Sequence, residues 1–304
     1  MSSTQKIAFI GVGHMGGPMA INLVKAGYDV VAYDLSAELV AGIVAEGATA
    51  ATSGVEAVAD ADVIITMLPG GKYVLDAYRE QGLLDAAKPG ALLIDSSTID
   101  VFEAREFHEL ADGRGFAAVD APVSGGVVGA EAGTLTFMVG GSAEDFARAT
   151  PILEAMGKRL VHCGDAGSGQ AAKLCNNMLL AISMVGTAEA FALAKQLGLS
   201  DQAFFDVAST SSGQCWSVSV NAPVPGVVAT SAANNDYKPG FAVALMQKDL
   251  RLAQAAADAT HTNNELGKHA LEIYERFSDE LARTKDFGAV YQMITDNLPT
   301  GATR

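Results

Sequence analysis

The sequence predicts an α/β fold, a doubly wound parallel sheet, followed by an all-α C-terminal domain. Three observations carry this expectation. Over the first half, short β-branched runs alternate with segments of helical periodicity, the pattern of βαβ units. A glycine-rich loop, Gly11-Val12-Gly13-His14-Met15-Gly16, follows the first of those runs. Beyond a second glycine-rich stretch, Gly164-Asp165-Ala166-Gly167-Ser168-Gly169, helical periodicity continues with almost no strand signal. At 304 residues the chain exceeds what one hydrophobic core usually fills, so two domains are expected, residues 1–165 and 166–304.

Along the chain, strands are expected at Lys6 to Ile10, Asp29 to Tyr33, Val63 to Leu68, Ala91 to Ile94 and Ala117 to Val119. Apolar residues at helical spacing place helices between them at Met15 to Ala26, Ala37 to Glu46, Lys72 to Gln81 and Val101 to Gly113. Thr134 to Val139 and Leu160 to Cys163 read as further strands flanking a helix from Ala143 to Met156. The helical second domain opens at Gln170. It is interrupted at Ser209 to Trp216 and at Asn221-Ala222-Pro223-Val224-Pro225-Gly226, where proline excludes a continuous helix.

Composition narrows the function classes. With 49% hydrophobic and 18% charged residues the chain is globular rather than disordered. A formal charge of -15 argues against sequence-independent binding to nucleic acid or to an anionic membrane, which need a field of Lys and Arg. Cys163, Cys175 and Cys215 form no disulfide framework and no zinc spacing, which points to a reducing compartment. Only Met1 to Gln5 precede the first apolar run, so no signal or transit peptide is expected and the cytoplasm is the expected location. Met178 to Ala194 is apolar but carries Ser183, Thr187 and Glu189 and falls short of a membrane span; a buried helix is expected. His108, His162, His261 and His269 fall at no metal-ligand spacing, so no metal is expected.

The first glycine loop has the context of a dinucleotide site, between a strand and an amphipathic helix that continues Pro18-Met19-Ala20-Ile21-Asn22-Leu23. Gly11 permits the tight turn, Gly13 lets backbone approach a pyrophosphate, and Gly16 allows close helix packing, so the helix N-terminus faces the phosphates. Val12, His14 and Met15 complete this loop. Asp34 ends the second strand 18 residues after Gly16, where a carboxylate accepts from the adenosine ribose and repels a 2′-phosphate; otherwise it caps the next helix. No Lys or Arg follows in Leu35-Ser36-Ala37, which favours NAD over NADP. Ligands in such sheets lie beyond the carboxyl ends of the strands, which directs attention to Leu68, Pro69 and Thr98. Thr98 is placed either to bond the nicotinamide ribose or amide, or to cap the helix after it.

Two further segments suggest a substrate end. Ser124-Gly125-Gly126 follows a strand and can present a hydroxyl and two unhindered N–H groups to a carboxylate; an ordinary turn reads the same way. Lys173 and Asn177, four residues apart in an otherwise apolar helix, share one face, where a partly buried lysine suits acid–base work.

In order and spacing these segments resemble the β-hydroxyacid dehydrogenase family, nearly end to end. The pieces that carry the resemblance are Gly11 to Met19, Asp95 to Asp100, Asp120 to Gly126, Thr134 to Gly141, Gly167 to Gly186, Ser211 to Trp216, Asn221 to Gly226 and Lys248-Asp249-Leu250. The run Ala171 to Met184, and the pairing of Cys215-Trp216 with Asn221 to Gly226, are similar to the hydroxyisobutyrate branch. The resemblance implies a Rossmann domain joined to an all-helical domain, a site in the cleft between them, and homodimers or homotetramers. It implies Lys173 as the catalytic lysine, Asn177 as the substrate-orienting amide, and Ser124, Gly125 and Gly126 as the carboxylate-binding turn. Lys248 would reach cofactor and substrate, Asp249 would hold it in place, and Trp216, with Phe241 and Val123, would form an apolar wall for a methyl branch. His14 departs from the asparagine expected there.

The implied reaction is oxidation of 3-hydroxyisobutyrate to methylmalonate semialdehyde with NAD, a step of valine degradation, on a small hydroxy acid with neither nucleic acid nor membrane as partner. Reduction of tartronate semialdehyde or another short aldehyde acid is the alternative on the same scaffold. A non-catalytic nicotinamide-binding module is the alternative from another class.

Overall fold

In a computed structural model, which describes residues 5–277 and 279–296, the chain divides into two units, Met1–Lys173 and Leu174–Arg304. The first is built on strands β1 (Lys6–Ile10), β2 (Asp29–Tyr33), β3 (Thr49–Ala50), β4 (Val63–Thr66), β5 (Leu92–Asp95), β6 (Ala117–Asp120), β7 (Val123–Ser124), β8 (Leu135–Gly140) and β9 (Gly157–Gly164). They form one sheet in the order β3-β2-β1-β4-β5-β6-β8-β7, with β9 on β8. The first six are parallel to one another, and 3-2-1-4-5-6 is the strand order of a dinucleotide-binding sheet. β6 and β7 both meet β8 antiparallel, while β8 and β9 are parallel.

Helices α1 (Gly16–Lys25), α2 (Ala37–Val44), α3 (Gly54–Val58), α4 (Gly71–Arg79), α5 (Leu83–Ala86), α6 (Val101–Asp112), α7 (Gly126–Glu131) and α8 (Ala143–Glu154) accompany the strands. Period-2 alternation splits the strand residues between two cores: Ile7 and Phe9 pack with Met19, Leu23 and Ile152, whereas Ala8 and Ile10 pack with Val74, Tyr78 and Phe107. Burial on both faces is why β1, β4 and β5 read as continuous apolar runs. Two-residue β3 and β7, and the short α3, α5 and α7, carry too little periodicity to be read from sequence. The strand expected to reach Leu68 stops at Thr66, because Leu68 turns its N–H to the Ser97 hydroxyl instead of the sheet.

The second unit contains most of α9 (Ser168–Gln196), then α10 (Asp201–Ala208), α11 (Trp216–Ser219), α12 (Val243–Ala259), α13 (Glu265–Glu275), α14 (Glu280–Arg283) and α15 (Val290–Asp296). Its core gathers Ala181, Met184, Ala188 and Phe191 of α9 with Val243, Met246 and Leu250 of α12 and Ile273 and Tyr274 of α13. α9 is 29 residues long and apolar enough to cross a membrane, but half of that apolar stretch is buried within the protein. The proline-rich segment from Asn221 is held by a buried carboxylate. Asp286 Oδ1 accepts from Asn221 Nδ2 and Gly288 N, and its Oδ2 accepts from the Gly240 and Phe241 N–H groups.

Candidate active site

Strand order reverses between β1 and β4, with β2 and β3 added on one side and β5 and β6 on the other, so the carboxyl ends of these two parallel strands are where this topology receives a ligand. The loop after β1 has the required shape. Gly11 sits at φ +92, and a Cβ there would strike the Met67 carbonyl; a Cβ on Gly16 would strike the Gly11 carbonyl. Glycine is therefore needed at both for the turn and for the approach of α1. A Cβ on Gly13 would meet no atom within 4 Å. That open space lies before the N-terminus of α1, as a pyrophosphate needs. His14 is exposed, and Pro18 falls in the first turn of α1, where a missing N–H costs nothing.

Asp34 is built into this loop. Its Oδ2 accepts from Val12 N and its Oδ1 from Ser36 N, both at 2.9 Å, while Ser36 is the residue that caps α2. A carboxylate offers about four acceptor positions, so two remain for ribose hydroxyls. The cavity beside it is lined by Tyr33, Asp34, Leu35, Val40, Ala51 and Thr52 among others, with no basic residue to receive a 2′-phosphate. Leu35 is 94% exposed beside Asp34. These residues fit a nicotinamide adenine dinucleotide and favour the form without the 2′-phosphate.

On the other half of the sheet the loops after β4 and β5 are tied together. Leu68 N donates to Ser97 Oγ at 2.8 Å, and Ser97 Oγ donates to Asp95 Oδ1 at 2.7 Å, where Thr66 Oγ1 also donates. Leu68, Pro69 and Thr98 thus lie on two linked loops at the ligand edge. α6 is capped by Asp100 in a capping box with Glu103, so the capping reading of Thr98 does not hold.

Asp95 is fully buried, and desolvation pushes its carboxyl up to about 6 against the bonds from Ser97 and Thr66 that favour its charge. Between the unfolded value near 3.8 and the folded value near 6, the folded chain holds this proton and the unfolded chain has lost it. Asp95 therefore makes stability fall as pH rises through that window, by on the order of 3 kcal/mol, with no further change above it. Urea unfolding from pH 4 to 7 should show this loss in the wild type relative to Asp95→Asn. Parallel stability curves would show that the carboxyl does not titrate there.

The Ser124 turn is held in β7, whose register with β8 pairs Val123 with Phe137 and Ser124 with Thr136. Gly125 and Gly126 follow at φ +139 and +63, conformations that side chains rarely adopt. The alternation of β7 sends Val123 into the core, 5% exposed, which removes it from the expected apolar wall. Its backbone has another role: Lys173 Nζ donates to the Val123 carbonyl at 2.8 Å. Lys173 is 7% exposed, so its amine is held next to the Ser124 turn in a site largely withdrawn from water.

One helical turn beyond Lys173, Asn177 is 2% exposed. Its Nδ2 donates to Asp249 Oδ2 at 2.6 Å and its Oδ1 accepts from Asn176, which fixes the amide plane. Asp249, on α12, is also 2% exposed; its Oδ1 has an ion-pair contact with Lys248 Nζ at 3.5 Å but no hydrogen-bond partner among the described residues. Trp216, half exposed, lies over Phe287 with ring centroids 6.5 Å apart, and Phe241 meets Phe287 edge-on at 5.8 Å. Phe287 is a third aromatic that sequence reasoning missed, because nothing in its local pattern distinguishes it from core.

Gln170 and Asp120 were also not singled out. Both are fully buried and polar, beside the residues discussed above. A glutamine three residues before Lys173 on the same helix face was the available signal.

Comparison with known proteins identifies the family. Residues 6–164 match the NAD binding domain of 6-phosphogluconate dehydrogenase, and residues 167–294 match the domain described as NAD-binding of NADP-dependent 3-hydroxyisobutyrate dehydrogenase. A probable 3-hydroxyisobutyrate dehydrogenase of Mycobacterium tuberculosis is 53% identical over 288 residues, 95% of this chain and 97% of that one. An NAD-dependent L-serine dehydrogenase of Pseudomonas aeruginosa is 48% identical over 291 residues, 95% of this chain and 98% of that one. The solved structure of Mycobacterium tuberculosis 3-hydroxyisobutyrate dehydrogenase with L-serine superposes with a TM-score of 0.92 at 52% identity, covering 96% of this chain and 99% of that one. Matched in both halves and over nearly its whole length, the chain belongs to the 3-hydroxyisobutyrate dehydrogenase family of NAD-binding oxidoreductases.

Proposed function

We propose that the protein oxidises 3-hydroxyisobutyrate to methylmalonate semialdehyde with NAD, the step of valine degradation its family name describes, with Lys173 taking the hydroxyl proton. The observation that carries this reading is the bond from Lys173 Nζ to the carbonyl of Val123, the residue before Ser124. The amine must be neutral to take that proton, and the N–H given to Val123 O orients its nitrogen beside the Ser124 turn. Ser124, Gly125 and Gly126 bind the carboxylate, so the carbinol is held against Lys173 by a turn that shares a strand with its anchor. Asn177, its plane set by Asp249 and Asn176, donates its remaining N–H to the substrate oxygen. The bound nicotinamide supplies the hydride acceptor. Orientation and general base catalysis, the latter worth roughly 10² to 10⁴-fold, account for the rate.

A second reading, oxidation of L-serine, is supported by Asp249. Its buried Oδ1 has no hydrogen-bond partner among the described residues, and the ammonium of serine is a donor where hydroxyisobutyrate carries a methyl. A buried acceptor gains most from such a charged donor.

One assay tests both readings. Each enantiomer of 3-hydroxyisobutyrate and of serine, with glycerate and 3-hydroxypropionate, is offered with NAD or NADP while reduced cofactor is followed by absorbance. The highest kcat/KM is expected for 3-hydroxyisobutyrate with NAD; a higher value for another acid overturns the substrate assignment. Asp249→Asn separates the two readings further. It lowers both activities in the same proportion under the first, and lowers serine turnover at least about tenfold more under the second.

A further inference from the structure

Asp120 closes β6 and is fully buried. Its Oδ1 accepts from Nε2 of His108 at 2.9 Å and from the N–H of Gly167 at 2.8 Å, and its Oδ2 accepts from the N–H of Gln170 at 2.9 Å. Gly167 and Gln170 belong to the opening of α9, so a carboxylate distant in sequence satisfies amide groups that a helix start leaves without intrahelical partners. It also sets negative charge against the positive end of that helix. Two glycines make room for it: a Cβ on Gly140 would strike Asp120 Oδ1, and one on Gly169 would lie 2.8 Å from Asp120 Oδ2.

Gln170 extends this anchor to the ligand edge. Its Oε1 accepts from Ile99 N at 3.1 Å and its Nε2 donates to Ser97 O at 2.7 Å, so the amide brackets Thr98 on both sides. Ser97 in turn holds Leu68. The first turn of α9 is thereby locked to both loops beyond β4 and β5, and Lys173 follows one turn later with its amine on Val123 O.

We propose that Asp120 and Gln170 are positioning residues for proton transfer: Asp120 fixes the start of the helix that carries Lys173, and Gln170 holds that start in register with the loop bearing Thr98. The proposal rests on Lys173 being the proton acceptor. It explains why a glutamine stands fully buried at a position where an apolar side chain would avoid the cost of desolvating an amide.

The test is a double-mutant cycle on the full-length protein, read as kcat, KM, NAD dissociation constant and Tm. Gln170→Ala is expected to lower kcat about 10- to 100-fold, with the NAD dissociation constant and substrate KM changed less than about threefold, because register rather than binding is lost. In the Lys173→Ala background the same substitution is expected to cost nothing further. A purely structural amide would lower Tm and leave kcat per folded site unchanged. That result, or losses that multiply in the double variant, overturns the proposal.

Asp120→Asn carries the same cycle should Gln170→Ala not fold, with a kcat loss of at least about tenfold expected. Gln170→Glu, which retains the acceptor for Ile99 N, is expected to recover part of the rate; no recovery in a folded variant counts against the register argument. Active Lys173→Ala would overturn the parent reading, whereas inactive Lys173→Ala beside fully active Gln170→Ala overturns only the positioning role.

Discussion

Lys173→Ala is expected to lower kcat by at least about 10³-fold while the NAD dissociation constant changes less than about threefold. General base catalysis alone accounts for roughly 10² to 10⁴. In the proposed mechanism the same amine would also fix the substrate oxygen, so orientation should be lost with it. The glycine loop and Asp34, proposed to hold the cofactor's pyrophosphate and adenosine, lie after β1 and β2 and should keep their affinity. Lys173→Arg separates hydrogen bonding from proton transfer: guanidinium can still bond Val123 O, but it does not deprotonate in proteins. It is expected to be as inactive as the alanine variant. Steady-state rates and a cofactor titration on folded protein read both variants. More than a few per cent of wild-type kcat in either would remove Lys173 from the proton-transfer role.

The parts of the site that sequence made legible are those whose chemistry is written in consecutive residues. Gly11 and Gly16 are needed by a turn six residues long, Gly13 leaves open space within it, and Asp34 follows the next strand, so strand, loop and helix identify each other locally. Lys173 and Asn177 share a helix, where a spacing of four fixes their common face. The alternation of strands and helices gave the doubly wound half of the fold, and proline placement gave the interruptions of the helical half.

What stayed illegible depends on long-range pairing. Asp120 meets Gly167 and Gln170 across 47 and 50 residues, and Gln170 meets Ser97 across 73. Asp286 meets Asn221 across 65. Asp, Asn and Gln are mostly surface residues, so apart from the spacing of Gln170 to Lys173 nothing local marks these as buried. Val123 failed for a related reason. A two-residue strand shows no alternation in sequence, and only its pairing with β8 determines that the side chain points into the core while the carbonyl faces Lys173.

The second large effect is expected at Asp34. Asp34→Ala should lower kcat/KM for NAD about 10²-fold and raise the ratio of NADP to NAD use by at least about 10²-fold. Two separate losses combine in these numbers. Oδ2 accepts from Val12 N within the glycine loop, so removing it loosens the pyrophosphate cradle for both cofactors alike. In the proposed site the acceptor positions left on the carboxylate would serve the adenosine ribose and repel a 2′-phosphate by like charge, and only this loss would discriminate between the cofactors. The ratio is therefore the diagnostic quantity, and absolute activity with NADP need not rise. Asp34→Ser with Leu35→Arg goes further, since it supplies a cation to a cavity whose lining has none, and it should make NADP the preferred cofactor. Initial rates over a range of each cofactor measure both variants. A ratio unchanged in Asp34→Ala would mean that the carboxylate only braces the loop, and that the preference for NAD is set elsewhere on the sheet edge.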